Sequence, residues 1–327
     1  IEYGVNPSYC SVAIVDYAAQ RASLLDFGGA ELDSFAFDYG SGISDDDVVD
    51  LADRVEEMLA RHKGDYPVAA IAISYLGRVD SRTHGKILSG VFRDCNVNIY
   101  EYYKERFGTE IILRNDLQFA ILAERRSGAI TGDELSCCYL QIGSGVASAM
   151  LIGDKLYLGA HGIAGEIGQN TLLRSTDAAR IENYLDCGGL KRALRAKAAS
   201  GEKTELSGNF GFSEILAAYR AGDELTKKTV AEWAREAGLL IKNMIEFMDF
   251  DAIILSGGMT EFGDEYTDEI RRTVQGYGYD TRIVTSGLKG NAAALGAFEA
   301  ARDAIIDKFS EERTAHSPER ANIEENA

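Results

Sequence analysis

Apolar residues follow two alternating rhythms along this chain. Residues 11–16 (SVAIVD) and 22–27 (ASLLDF) are aliphatic runs of strand length, and residues 68–74 (VAAIAIS) form a continuous apolar run. Such a run marks a strand covered on both faces. Between them, Asp45-Asp46-Asp47 opens a segment in which Val48, Leu51, Val55, Met58 and Leu59 recur at helical spacing. Acidic residues suit the positive N-terminal end of a helix. Residues 99–107 read as a helix, 110–114 as a strand and 116–126 as a helix. The alternation then restarts. Residues 137–142 and 147–152 read as a hairpin across Gly143-Ser144-Gly145, with a further turn at Asp154-Lys155. Helices over 181–199, 213–221 and 225–248 follow, then buried strands at 251–256 and 282–285. An alanine-rich helix over 291–309 ends the pattern, and residues 311–327 are a polar tail expected to fray.

Two α/β halves, each strand-rich first and helical later, imply two related lobes with a cleft between them. The expected division is 1–127 and 128–295, with the helix of about 296–310 packing back on the first lobe. Three prolines leave no proline-rich linker. With 46% hydrophobic and 26% charged residues over 327 positions, the chain is globular. Its formal charge of -18 repels a phosphate backbone, so binding of DNA by this chain alone is excluded. The longest uncharged stretch, 135–153, is about long enough to span a bilayer. Ser136, Gln141, Ser144, Ser148 and the glycine turn in its middle fit two strands better, so no membrane partner is expected. The 5 cysteines (Cys10, Cys95, Cys137, Cys138, Cys187) have no framework spacing, which points to reduced thiols and a cytoplasmic location. Because a strand pattern begins within a few residues of Ile1, the chain is expected to be the body of a longer polypeptide.

The sharpest chemical signal is the pairing of Gly143-Ser144-Gly145 with a second cluster, Gly159-Ala160-His161-Gly162 through Gly165-Glu166-Ile167-Gly168-Gln169. Glycines let backbone N–H groups approach an anion closely. An ordinary hairpin turn would explain the first cluster alone; the second, with its carboxylate, makes the pair distinctive. Asn115-Asp116 reads either as a helix cap or as a pair of hydroxyl-binding groups. His161 reads equally as a ligand contact or a surface imidazole. Trp233, Met244, Phe247 and Met248 on the long helix read as core or dimer packing, and a homodimer is a possible assembly. Cys137 and Cys138 point to opposite faces of one strand and form no redox pair.

The stretch 143–169 (GSGVASAMLIGDKLYLGAHGIAGEIGQ) resembles the glycine-rich core of the ROK family, whose name joins repressors, uncharacterised reading frames and sugar kinases. Asn115-Asp116 before a helix reaching Glu124, ILSGG at 254–258, and ISYLGRVD at 73–80 followed by Gly85 are similar to further family segments in the same order. The resemblance covers nearly the whole chain and points to the transcriptional-regulator branch of xylose-repressor type. It implies an α/β fold, actin-like and hexokinase-like (ribonuclease H-like), with duplicated lobes and a sugar in the cleft between them. It further implies that Asn115 and Asp116 bind sugar hydroxyls, Asp116 being the general base in the kinases. Glu166 and Glu182 would hold further hydroxyls, with Gly77, His161 and Gln169 at the rim. Gly143, Ser144 and Gly145 would face a nucleotide phosphate, and Gly257 and Gly258 the adenosine.

Departures from the family matter as much. Its kinases open with an Asp-x-Gly-Gly-Thr turn that binds phosphate. Counting back from Ile14-Val15-Asp16 places that turn at Gly4-Val5-Asn6-Pro7-Ser8, where no acid stands and Pro7 lacks an N–H. The family's zinc site would fall on Gln169, Leu173, Ser175 and Arg180, which are unsuited to zinc, and Cys187 beyond them reads as a packed thiol. The expectation is therefore the sugar-binding effector domain of a ROK-type regulator. DNA would be reached only through a helix-turn-helix outside this chain, with a monosaccharide as ligand, no cofactor and no metal. The alternative is a sugar kinase acting on a hexose or N-acetylhexosamine with ATP and Mg; a third reading is a sugar-binding protein with no DNA role.

Overall fold

The computed structural model describes residues 6–40, 42–80, 83, 95–173 and 178–315. The chain divides into two units. The first comprises residues 1–123, 160–162 and 290–327, and the second comprises 124–159 and 163–289.

In the first unit, β1 (Ser11–Asp16) is buried at every position, as its unbroken apolar run requires. It pairs antiparallel with β2 (Arg21–Asp26), which pairs antiparallel with β3 (Glu31–Ala36). Helix α1 (Asp45–His62) starts on a Ser44–Asp47 capping box and turns Val48, Leu51, Val55 and Met58 inward. On the other side of β1, β4 (Val68–Tyr75) pairs in parallel, α2 (Ile99–Phe107) crosses over, and β5 (Glu110–Asn115) pairs in parallel with β4. The sheet order is β3-β2-β1-β4-β5. Helix α3 (Asp116–Ser127) leaves β5 without a linker.

The second unit repeats this plan. β6 (Cys137–Ile142), β7 (Val146–Ile152) and β8 (Lys155–Leu156) form an antiparallel meander. A two-stranded ribbon, β9 (Thr171–Leu173) with β10 (Ala178–Arg180), stands apart from the main sheet. The helix expected over 181–199 is two helices, α4 (Ile181–Leu185) and α5 (Cys187–Ala199). Asp186 breaks it: its carboxylate accepts the Gly189 N–H at 2.5 Å and caps α5 instead of continuing α4. Then come α6 (Phe212–Ala221), α7 (Glu224–Met248), β11 (Ala252–Ser256), α8 (Asp264–Gly276) and β12 (Arg282–Thr285). β11 pairs in parallel with β6 and with β12, giving the order β12-β11-β6-β7-β8. Strand for strand, this is the first sheet again, the duplicated architecture of the actin-like, hexokinase-like α/β class.

The last helix, α9 (Ala292–Ala315), belongs to the first unit and continues past Phe309, so 311–315 are helical rather than frayed. It covers the sheet face opposite α1: Ala297, Phe298, Ala301 and Ile305 pack with Val12, Ile14, Ala70, Ala72 and Phe119. The division between units falls at 123/124 rather than near 127/128. Glu124, wholly buried, accepts the Ala129 N–H at 2.7 Å and the Ser286 hydroxyl, and these partners lie in the second unit.

Two predictions follow from this packing. A Cβ at Gly296 would lie 1.7 Å from the Phe119 carbonyl oxygen. Gly296→Ala should therefore destabilise the protein by about 1–3 kcal/mol by overpacking, despite a helix-propensity gain of ~1 kcal/mol. Denaturant unfolding that shows equal or greater stability would contradict that contact. Second, Arg282 binds both oxygens of Glu134, at 2.5 and 2.6 Å, and the Ala129 carbonyl at 2.5 Å. The guanidinium holds the Glu134 carboxyl down to about 2. A carboxyl depressed on folding stabilises fully above its unfolded value, ~4.3, and loses that contribution as pH falls toward 2. Glu134→Gln should be less stable than wild type at pH 7, and the gap should close between pH 4 and pH 2. A gap independent of pH would mean that the ion pair contributes nothing.

Candidate functional site

Parallel pairing brings Asp16, Ser74 and Arg114 into one row across β1, β4 and β5. The chain leaves all three strands at that edge. Gly77, two residues past β4, offers its carbonyl to Asn115 Nδ2 at 2.8 Å, and Tyr75 offers a longer contact at 3.4 Å. Asn115 Oδ1 accepts the Leu117 N–H at 2.8 Å. The Asn115 amide is thus engaged at both ends, holding the Gly77 turn and capping the start of α3. Of the two uses open to Asn115-Asp116 in the sequence, the cap is the one realised by Asn115. Asp116 keeps some solvent contact, yet the protein packed around it pushes its carboxyl up to about 7. The negative charge of Asp16 adds to the shift, and the Leu117 N–H opposes it. A carboxylate poised there can accept a hydroxyl proton near neutral pH.

The duplicated fold corrects the placement of the first phosphate turn. The β6–β7 turn carries Gly143, Ser144 and Gly145, and its counterpart is the β1–β2 turn, Asp16-Tyr17-Ala18-Ala19-Gln20. Residues 4–8 are not that turn. Gly4 and Val5 lie outside the described residues, and Asn6 caps a short 3-10 turn, Pro7–Tyr9, at the opposite end of β1. The acid thought to be missing is Asp16, which is 3% exposed and raised by burial. The twin glycines of the kinases are Ala18 and Ala19, and the threonine is Gln20, held at φ 51°. Asp16 Oδ1 accepts the N–H groups of Ala18 at 2.9 Å and Ala19 at 3.1 Å. Two donors that could face a phosphate are therefore closed on the protein's own carboxylate. The sequence signal was present: an acid ends the first strand, as a glycine turn ends β6.

In the second unit the two expected nucleotide-facing turns do meet. A Cβ on Gly257, at φ 88°, would lie 2.5 Å from the Ile142 carbonyl oxygen, and one on Gly143 would lie 3.1 Å from the Gly258 nitrogen. The Cys187 N–H donates to the Gly143 carbonyl at 2.8 Å, and Ser144 is exposed. The glutamate loop is built by close approach. Cβ atoms at Gly165 and Gly168 would lie 2.1 Å from the Ser148 and 1.9 Å from the Val146 carbonyl oxygen, so these glycines lay Glu166 along β7. Glu182, in the first turn of α4, adjoins Gly168, and the Ile181 N–H donates to the Asn170 carbonyl at 2.9 Å. Glu166, Gln169 and Glu182 are all half-buried in this unit. His161 is exposed and groups with the first unit.

The donor set where the family carries zinc does not fit that ion. Gln169 ends a 3-10 turn, Leu173 and Arg180 belong to the β9–β10 ribbon, and Ser175 lies outside the described residues. An amide, an alkyl and a guanidinium offer no tetrahedral nitrogen–sulfur set. Among the described residues, no three His, Cys, Asp or Glu side chains gather as a metal-ligating group.

Comparison with known proteins agrees with this architecture. The xylose repressor of Caldicellulosiruptor bescii is 22% identical over 245 residues, covering 70% of this chain and 61% of that protein's length. The chain thus spans about three fifths of the xylose repressors it matches. A ROK-family transcriptional regulator, a homologue of the Escherichia coli MLC protein, superposes with a TM-score of 0.79 at 20% identity, covering 91% of this chain and 78% of the regulator. A ROK-family glucokinase from Streptomyces griseus, solved with glucose and AMPPNP, gives 0.70 at 22% identity, covering 90% and 99%. The ROK family pattern itself matches residues 44–304, and the chain belongs to the ROK family.

Proposed function

We propose that this chain is the sugar-binding effector portion of a ROK-type transcriptional regulator, using the sugar-kinase architecture without phosphoryl transfer. The observation that carries the reading is the β1–β2 turn, whose Ala18 and Ala19 N–H groups are closed on Asp16. Phosphoryl transfer relies on backbone donors and a metal held in place at the phosphates. Two methyl groups and a self-satisfied turn remove donors from that task, while burial favours the uncharged Asp16, a weak magnesium ligand. The hydroxyl-binding set is retained, with Asp116, Glu166 and Glu182 as carboxylate acceptors and Asn115 positioning Asp116. Gly77, His161 and Gln169 form the rim. With a charge of -18, contact with DNA falls to segments beyond these 327 residues. The free thiols suit a reducing, cytoplasmic setting.

A second reading, a sugar kinase with ATP and magnesium, is favoured by one observation: Asp116 titrates near neutrality, as a general base should. Gly143, Ser144 and Gly145, with Gly257 and Gly258, would then hold the nucleotide. A coupled assay for ADP release with xylose, glucose and N-acetylhexosamines separates the two. We expect no sugar-dependent turnover in the wild type. Sustained turnover lost in Asp116→Asn would establish the kinase.

Two further outcomes test the sugar site. A cognate monosaccharide should raise the melting temperature by mass action. Asp116→Ala and Glu166→Ala should each weaken binding roughly 10- to 100-fold, because hydrogen bonds to charged groups contribute ~1.5–3 kcal/mol. Calorimetry showing wild-type affinity in both variants would remove these residues from the site. The ionised Asp116 is the better hydroxyl acceptor, so with a midpoint at about 7 affinity should rise about tenfold from pH 6 to pH 8. Stability runs the other way: a carboxyl raised on folding stabilises at low pH and loses that contribution as pH climbs through 7. Asp116→Asn should abolish the rise in affinity, and a rise that persists in it would assign the titration elsewhere.

A further inference from the structure

The long helix α7 separates the aromatic and sulfur side chains grouped together in the sequence. Trp233 and Met244 are core residues, each 6% exposed, whereas Phe247 is 86% exposed. A large apolar side chain left in water beside other apolar surface marks an interaction site. Beside Phe247 the second unit opens a cavity of about 640 Å3 whose walls include Met150, Ile163, Leu240, Met244 and Phe250. Tyr157 and Ile163, 48% and 45% exposed, stand on the same patch. One charged side chain, Glu166, lines the cavity of a chain whose formal charge is -18.

We propose that this face is where two copies of the chain meet about a two-fold axis, the Phe247 ring of each entering the apolar cavity of the other. Three features select a second copy as the occupant. A two-fold interface must be self-complementary, since each surface meets itself. Here a projecting ring and a hollow lie side by side on one patch, as that symmetry requires. Copies of so acidic a chain repel one another over most of their surface, and the repulsion is least where charge is nearly absent. Finally, the patch continues along α7. Lys242 bonds Glu246 at 2.6 Å and lies over the Tyr277 ring at 5.4 Å, with Tyr277 57% exposed. That supplies the polar and aromatic rim around an anchored core that interfaces of about 800 Å2 per partner possess. A small apolar ligand in the cavity would leave the Phe247 ring in water; a second copy covers both.

The inference is independent of the sugar site and is tested on the whole chain by sedimentation velocity from 1 to 100 µM. We expect a dimer in the wild type. Phe247→Glu, at an exposed position, should keep its far-ultraviolet spectrum and melting temperature while weakening dimerisation at least 100-fold. Ile163→Arg, on the wall of the hollow, should do the same from the other side. A wild type monomeric at 100 µM would leave the hollow to another occupant and overturn the proposal. A dimer that persists in either folded variant would overturn it as well. Should Ile163→Arg fail to fold, Phe247→Glu decides alone.

Discussion

Parallel pairing at the centre of each sheet is the constraint on which the rest of the structure depends. β1, β4 and β5 run side by side, as do β6, β11 and β12. Parallel strands deliver their carboxyl ends to one edge, and their interiors, covered on both faces, exclude polar groups. Polar chemistry can therefore stand only where the strands stop. That is why Asp16, Gly77 and Asn115-Asp116 share an edge in one unit, and why the Gly143 and Gly257 turns cross in the other.

At the first of these edges two carboxylates share a poorly solvated setting. Asp16 spends its charge on two backbone N–H groups of its own turn, which offset part of the cost of burying it. Asp116 has fewer such donors and feels the field of Asp16, so its affinity for a proton is the higher. The turn therefore has two effects at once. It withdraws donors from any incoming anion, and it leaves Asp116 the group that responds to a hydroxyl.

Strand interiors and hairpins were legible because burial on both faces writes a continuous apolar run, as in 68–74, and because glycine between two such runs leaves little alternative to a turn. Much of the candidate site could be read for the same reason: its residues sit beside those runs. What escaped is equally physical. β3 (ELDSFA) is half-exposed along its length and has no apolar run to announce it. The β9–β10 ribbon is three residues deep and pairs only with itself. Asp16 was passed over because a strand pattern does not say at which end its functional turn lies; the duplication does, and it becomes visible only when β1 and β6 are seen in equivalent places. Phe247 shares helical spacing with Met244, and only the packed neighbours of α7 show that one faces the core and the other water.

The placement of α9 has a bearing on how the chain is made. One face of the first sheet, Val12, Ile14, Ala70 and Ala72, is covered by Ala297, Phe298, Ala301 and Ile305. A ribosome adding about 5–20 residues per second needs roughly 10–50 s after Ala72 to reach Ile305. For that interval the nascent first unit holds an uncovered apolar sheet face, while the second unit, with its own contiguous core, can close first. The order of completion is thus the reverse of the order of synthesis, and the emerging chain offers that sheet face to chaperones until its final helix arrives.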